Sequence, residues 1–201
     1  MVDPRAGWSA LHHGIDPAGN ALLRGWLRLM WWLARPLVRL RVAPTAVTVV
    51  AAVLAVDAVL LASRFPWVSL GLVLAAAVGD GLDGAVALLA RRVSRAGAVA
   101  DKVGDRVADS CFALVLWGCG APWWLAVGAG ALSLLHELLR SVRGGALLSR
   151  ITVAERPTRV VCAALGCASA GLSSATWPPT VCAAVWAGLA VVGLLQLVLA
   201  L

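Results

Sequence analysis

Five aspartates crowd the stretch from Asp80 to Asp109, half of the ten acidic residues in a chain of 201. Asp80 and Asp83 stand three positions apart, and Asp101, Asp105 and Asp109 follow at intervals of four. Residues three or four apart share one face of a helix. Two carboxylates on one helix therefore confront a stripe of three on the next, and the basic turn from Arg91 to Arg95 makes the two helices antiparallel neighbours. Clustered carboxylate oxygens without histidine or cysteine suit hard cations such as Mg2+, Mn2+ or Ca2+ rather than zinc. Four such groups are enough to hold two divalent ions about 4 Å apart, an arrangement used for phosphoryl chemistry.

The surroundings of these acids resemble a lipid solvent. The chain is 61% hydrophobic and 13% charged, against roughly half and a quarter in soluble domains. A carboxylate ionised in mid-bilayer costs roughly 2.5–3.5 kcal/mol or more, so the aspartates must face a polar cleft and share cations. Six apolar stretches, at about 44–63, 66–90, 97–118, 122–143, 157–175 and 179–200, are long enough to cross a bilayer. Turn chemistry separates several of them, as at Arg64-Phe65-Pro66 and Trp177-Pro178-Pro179. The expected fold is all-α, a polytopic membrane bundle of about six transmembrane helices spanning 43–201. A polar segment is expected over 1–18, too rich in acids, histidines and prolines for a cleaved signal peptide. Between them, over 19–42, Arg24, Arg28, Arg35 and Arg39 alternate with Trp26, Leu29, Trp31 and Leu33, which reads as an amphipathic helix in the headgroup region.

Net charge is +7, and all but one of the 17 basic residues are arginine. They group at 24–41, 91–106 and 140–159, and six spans place all three groups on one side, leaving only Arg64 opposite. The positive-inside rule puts that side, both termini and the aspartates at the cytoplasmic face. The basic excess thus reflects topology and phosphate chemistry, and nucleic acid is not an expected partner. The expected location is a bacterial plasma membrane. Cys111, Cys119, Cys162, Cys167 and Cys182 lack metal-ligand spacing and read as small apolar packing groups. Trp67, Trp117, Trp123, Trp124 and Trp177 sit near span ends, where interfacial aromatic belts form.

Gly81, Gly84, Gly97 and Gly104 remove side chains around the aspartates, for close helix approach or for room beside a bulky ligand. With them the pattern becomes specific. Asp80-Gly-Leu-Asp83-Gly84-Ala-Val-Ala87, followed by Gly97-Ala-Val-Ala-Asp101-Lys-Val-Gly-Asp105, resembles the signature of the CDP-alcohol phosphotransferases. That signature runs D-x-x-D-G-x-x-A-R, eight residues, then G-x-x-x-D-x-x-x-D. Pro44-Thr45-Ala-Val-Thr48 is similar to the P-N-x-x-T that opens the family's first span, with Thr45 in place of Asn. One departure stands out: the family arginine after Ala87 is Leu88 here. Arg91 and Arg92, three and four positions on, are expected on the same helical face and could replace it.

The resemblance implies a mechanism. Asp80, Asp83, Asp101 and Asp105 would bind Mg2+ or Mn2+, two ions by the number of carboxylates, against the pyrophosphate of a CDP-linked lipid donor. Asp105 would also serve as general base for an acceptor hydroxyl that attacks the β-phosphorus and expels CMP, a step in phospholipid biosynthesis. Thr48, Gly84, Ala87, Gly97 and Arg91 would border the donor. Asp109, outside the signature, is expected as a supporting polar residue. Glu155-Arg156-Pro157-Thr158-Arg159 is similar to the E-R-x-x-R of the inositol-phosphate branch, which implies Arg140, Arg156 and Arg159 as ligands of an acceptor phosphate. Topology and headgroup contact explain those arginines equally well. A homodimer is compatible with this architecture.

Other polar residues carry less. His136-Glu137 is an isolated pair on an apolar helix, His12 and His13 lie in the polar terminal segment, and Asp57 reads as a polar contact inside the bundle. Two function classes stay open: a membrane transferase, and a degenerate relative that binds nucleotide or cations without turnover, for which Leu88 and the run at 138–142, where Leu138, Ser141 and Val142 depart from the family branch, are the best arguments. All four signature aspartates favour the transferase.

Overall fold

The computed structural model describes residues 21–143 and 152–199. The polar segment expected over 1–18 lies outside the described residues, as does the stretch 144–151. Among the described residues all regular structure is helical: α1 (Ala21–Arg39), α2 (Pro44–Leu61), α3 (Pro66–Leu89), α4 (Arg95–Gly118), α5 (Trp123–Arg143), α6 (Arg156–Leu172) and α7 (Trp177–Val198). Proline occupies the first turn of α2, α3, α6 and α7, where its missing N–H forfeits no hydrogen bond and its φ already suits a helix. Helix α4 starts differently: the Ser94 hydroxyl accepts the Gly97 N–H at 3.0 Å, satisfying one of the orphan donors of its first turn.

Each of the six apolar stretches becomes a helix. Four of these, Pro44–Leu61, Pro66–Leu89, Trp123–Val142 and Trp177–Val198, are long and apolar enough to cross a membrane, and the chain is an all-α polytopic bundle. The other two do not meet that measure of length and apolar character. Helix α4 carries Arg95, Asp101, Lys102, Asp105, Arg106 and Asp109, and α6 is 17 residues long with Arg156 and Arg159 near its start.

The packing inverts that of a soluble domain. Alanine dominates the interior (Ala55, Ala58, Ala76, Ala108, Ala163, Ala183), around Phe112, Leu116 and Trp186. Large apolar side chains such as Val49, Leu60, Val68, Leu165 and Leu195 point outward, as expected where the outer solvent is hydrocarbon and small residues let helices approach closely. Two polar side chains of the apolar core are paired: Trp186 Nε1 donates to Ser133 Oγ at 2.7 Å, and Ser69 Oγ donates to the Ala58 carbonyl at 2.8 Å. All five cysteines are free, four of them buried. The tryptophans expected at span ends, Trp67, Trp117, Trp123, Trp124 and Trp177, are exposed.

Helix α1 divides its surface between protein and surroundings. Leu27, Met30 and Ala34, at helical spacing, are buried, Met30 and Ala34 against Ala85 and Val86 of α3. Trp26, Leu29 and Trp32 are exposed, together with Arg28 and Arg35. Helix α2 packs along both α3 and α4, whereas α3 and α4 touch each other sparingly. The two acidic helices are thus held together largely through α2, and the open space beside Gly84 forms a cleft along their acidic residues.

Candidate active site

Helix α3 ends at Leu89, and the chain turns through Ala90 to Ser94 into α4. The Arg92 N–H bonds the Ala87 carbonyl at 2.9 Å, and Arg91 takes a left-handed φ of 52°, the hydrogen-bonded end of a Schellman-type cap. Arg91 and Arg92 are therefore off the helix, exposed, and do not share the face of Leu88. The expectation of a common face fails because the helix stops one residue after Leu88.

The hairpin returns α4 so that Asp80 of α3 meets Asp101 and Asp105 of α4. One carboxylate oxygen from each lies within 4.8 Å of the others. Asp83, one turn beyond Asp80, is buried and accepts the Thr48 hydroxyl at 2.5 Å, so it stands at the wall formed by α2. Asp109 is buried too, but the stripe on α4 divides here: Asp109 pairs with Arg159 instead of joining the trio.

Two arginines from the first turn of α6 complete the site. Arg156 Nη1 lies 2.7 Å from Asp80 Oδ1 and also bonds Asp105 Oδ1. Arg159, 1% exposed, bonds Asp109, Glu137 Oε1 at 2.8 Å and the Ala154 carbonyl at 2.9 Å. Arg106 Nη1 sits 3.5 Å from Glu137, and its Nη2 lies 3.6 Å from Asp105. Asp80, Asp83, Asp101, Asp105, Asp109 and Glu137 thus face Arg106, Arg156 and Arg159. Six carboxylates against three guanidiniums leave a formal excess of negative charge, which favours binding of further cations. The donor set fits a hard divalent ion: three carboxylates converge, and no imidazole or thiolate is among them.

Around the cleft, Gly84 has nothing within 4 Å of where a Cβ would stand, so space is open beside Asp83. Gly97 is instead a local packing position, where a Cβ would lie 3.1 Å from the capping Ser94 Oγ. A Cβ on Gly104 would lie 2.6 Å from Thr48 Cγ2, which is the close approach of α4 to α2. Ala87 lies half-buried on α3. Arg140 is bonded to both oxygens of Glu155 at 3.0 Å. Glu155 Oε1 also accepts the Thr152 N–H at 3.0 Å, and Thr152 Oγ1 meets His136 Nε2 at 3.0 Å. This network holds the chain just before α6 and so sets the direction of Arg156.

Arg106 and Glu137 are the members that motif reading passes over, and Glu155 stands in the E-R-x-x-R pattern without a role. A sequence signal exists. Glu137 and Glu155 are the sole glutamates in the chain and its last two acidic residues, while arginines entering an apolar bundle need acidic partners. Asp57, half-buried on α2, is not part of the trio.

Among the described residues, the helical bundle thus brings three carboxylates that could hold a metal ion together across a helical hairpin. Residues 41–198 match the CDP-alcohol phosphatidyltransferase family model, and the chain belongs to that family. The family's reaction moves a substituted phosphate group from a CDP-alcohol to an acceptor alcohol. Comparison with curated proteins gave no match.

Proposed function

We propose that this chain transfers a phosphatidyl, or similar phospho-alcohol, group from a CDP-linked lipid to an acceptor alcohol with release of CMP, as a step of phospholipid biosynthesis. The observation that carries this reading is the convergence of Asp80, Asp101 and Asp105 from two helices. Asp80, Asp83, Asp101 and Asp105 would hold Mg2+ or Mn2+, two ions by the charge available, at the cytoplasmic face of a bacterial plasma membrane. Bound there, the cations supply neutralisation of the pyrophosphate and of the leaving CMP. The carboxylate of Asp105 takes the acceptor hydroxyl proton; the freed oxygen bonds the β-phosphorus as the bond to CMP breaks. The open space at Gly84 gives the donor room beside Asp83, with Thr48, Ala87, Gly97 and Arg91 along its path.

Of the three arginines expected at an acceptor phosphate, Arg156 stands at the cleft. Arg140 is engaged by Glu155 and Arg159 by Asp109 and Glu137, so these two position the segment that carries Arg156. A phosphorylated polyol such as inositol phosphate is one candidate acceptor, which Arg156 of these three is placed to meet.

CMP release from CDP-diacylglycerol in detergent, with and without Mg2+ or Mn2+ and across a panel of acceptors, tests the reading. Asp105→Asn is expected to lower the rate by about 10²–10⁴-fold while CDP still binds. Equal loss of CDP binding in Asp105→Asn and Asp101→Asn removes the separate role of Asp105 as base. Failure to release CMP with any acceptor and either ion favours the alternative, a relative that binds without turnover.

A further inference from the structure

Arg156 and the cation site claim the same atoms. Its Nη1 reaches Asp80 on α3 at 2.7 Å and also bonds Asp105 on α4, and both carboxylates belong to the trio with Asp101. The neighbouring guanidiniums behave differently. Arg159 is sealed in by Asp109, Glu137 and the Ala154 carbonyl. Arg106 spreads over Asp105, Asp109 and Glu137 at 3.5–4.0 Å. Among the described residues, Arg156 alone has an ion pair with Asp80. It is also held at one end only: its Nε is buried without a hydrogen bond and stands 4.0 Å from Asp109 Oδ1, which is buried and unbonded as well. The side chain keeps 20% of its surface exposed, against 1% for Arg159.

A carboxylate oxygen that accepts a guanidinium N–H has its lone pair turned to that donor, and a divalent ion needs the same lone pair. The two cations also repel at this distance. We propose that Arg156 is a displaceable internal cation, which neutralises Asp80 and Asp105 until a divalent ion takes their oxygens and frees the guanidinium for an anionic oxygen of the incoming substrate. This rests on the reading of the trio as a cation site. It makes Arg156 a positioning residue that sets cation affinity and couples cation loading to anion binding, a coupling that is reciprocal by linkage.

The test is Mn2+ binding to the full chain in detergent, followed by electron paramagnetic resonance, for wild type, Arg156→Gln and Arg156→Lys. Arg156→Gln is expected to bind Mn2+ about tenfold more tightly or better, since a charge-assisted contact no longer competes. Arg156→Lys, which keeps the charge but loses the planar fork, should fall between. Equal or weaker Mn2+ binding in Arg156→Gln overturns the proposal, because a residue that merely orients the carboxylates would weaken the site when lost. A second measurement needs no variant: phenylglyoxal modification of wild-type Arg156, read by mass spectrometry, is expected to rise several-fold when Mg2+ is added, with Arg159 unchanged as internal reference. No rise in Arg156 modification overturns the proposal even where Arg156→Gln fails to fold. Absence of saturable Mn2+ binding in the wild type sinks the cation-site reading itself, and this inference with it.

Discussion

Two arginines three positions apart at the start of α6 have opposite fates. Arg156 faces the cleft, whereas Arg159 is buried between Asp109 and Glu137. A buried ion pair loses more when one partner is removed than it gains when formed, because the other charge is left without solvent. Arg159→Ala strands both Asp109 and Glu137 and is expected to destabilise the protein by about 3–5 kcal/mol, read as a lowered midpoint of thermal unfolding in detergent. Arg159→Ala with Asp109→Asn and Glu137→Gln, which removes the stranded charges together, should recover a large part of the loss. If the single variant unfolds like the parent, the network is not structural and the acceptor-ligand role of Arg159 gains weight. The E-R-x-x-R pattern was legible in the sequence, and so was its chemistry. Which arginine is sealed and which is presented was not, since both positions lie on one helical turn and only the location of Glu137 and Asp109 separates them.

Helix contacts in this bundle are made where one partner has no side chain. Gly104 of α4 lies against Thr48 of α2, and a Cβ there would stand 2.6 Å from Thr48 Cγ2. The same threonine holds Asp83 through its hydroxyl. Gly104→Ala therefore forces α2 and α4 apart or turns Thr48 away from Asp83, at a cost of about 1–3 kcal/mol for an overpacked contact. Thr48→Ser removes the methyl and keeps the hydroxyl, so Gly104→Ala in a Thr48→Ser background is expected to regain most of the lost stability and CDP affinity. Thermal unfolding and CDP titration of the two single variants and the double check this; additive losses would show that the Thr48 methyl is not the obstacle. A glycine beside aspartates was visible in the sequence as a request for space. Whether a ligand or a helix uses the space differs by position: Gly84 opens onto free volume, Gly104 onto Thr48 and Gly97 onto its own cap.

The bundle as a whole places charged hairpins and apolar spans in a fixed alternation. Helix α3 is 24 residues long and qualifies as a span, so the turn before it and the turn after it belong on opposite faces. With the native cysteines replaced, Arg64→Cys and Val93→Cys are expected to react with a membrane-impermeant maleimide from opposite sides of sealed vesicles, Val93→Cys from the cytoplasmic side. Labelling of both from one side would refute α3 as a membrane crossing and with it the assigned orientation.

Composition and periodicity by themselves determined an all-α membrane bundle, because continuous apolar runs of about 20 residues fit helical spans, whereas barrel strands are about half as long and alternate polar with apolar residues. The spacing of Asp80, Asp83, Asp101 and Asp105 likewise announced an acidic centre on a helical hairpin, since positions three and four apart must share a face. The tertiary structure alone decided how the centre is divided. It brought Asp80, Asp101 and Asp105 together, gave Asp83 to Thr48, gave Asp109 to Arg159, and laid Arg156 across two of the trio. It also ended α3 before Arg91, taking the expected stand-in for the family arginine off the face of Leu88. Helical periodicity specifies which residues share a face of one helix. It does not say which neighbouring helix meets that face, and electrostatic pairing in an apolar interior is settled by those neighbours.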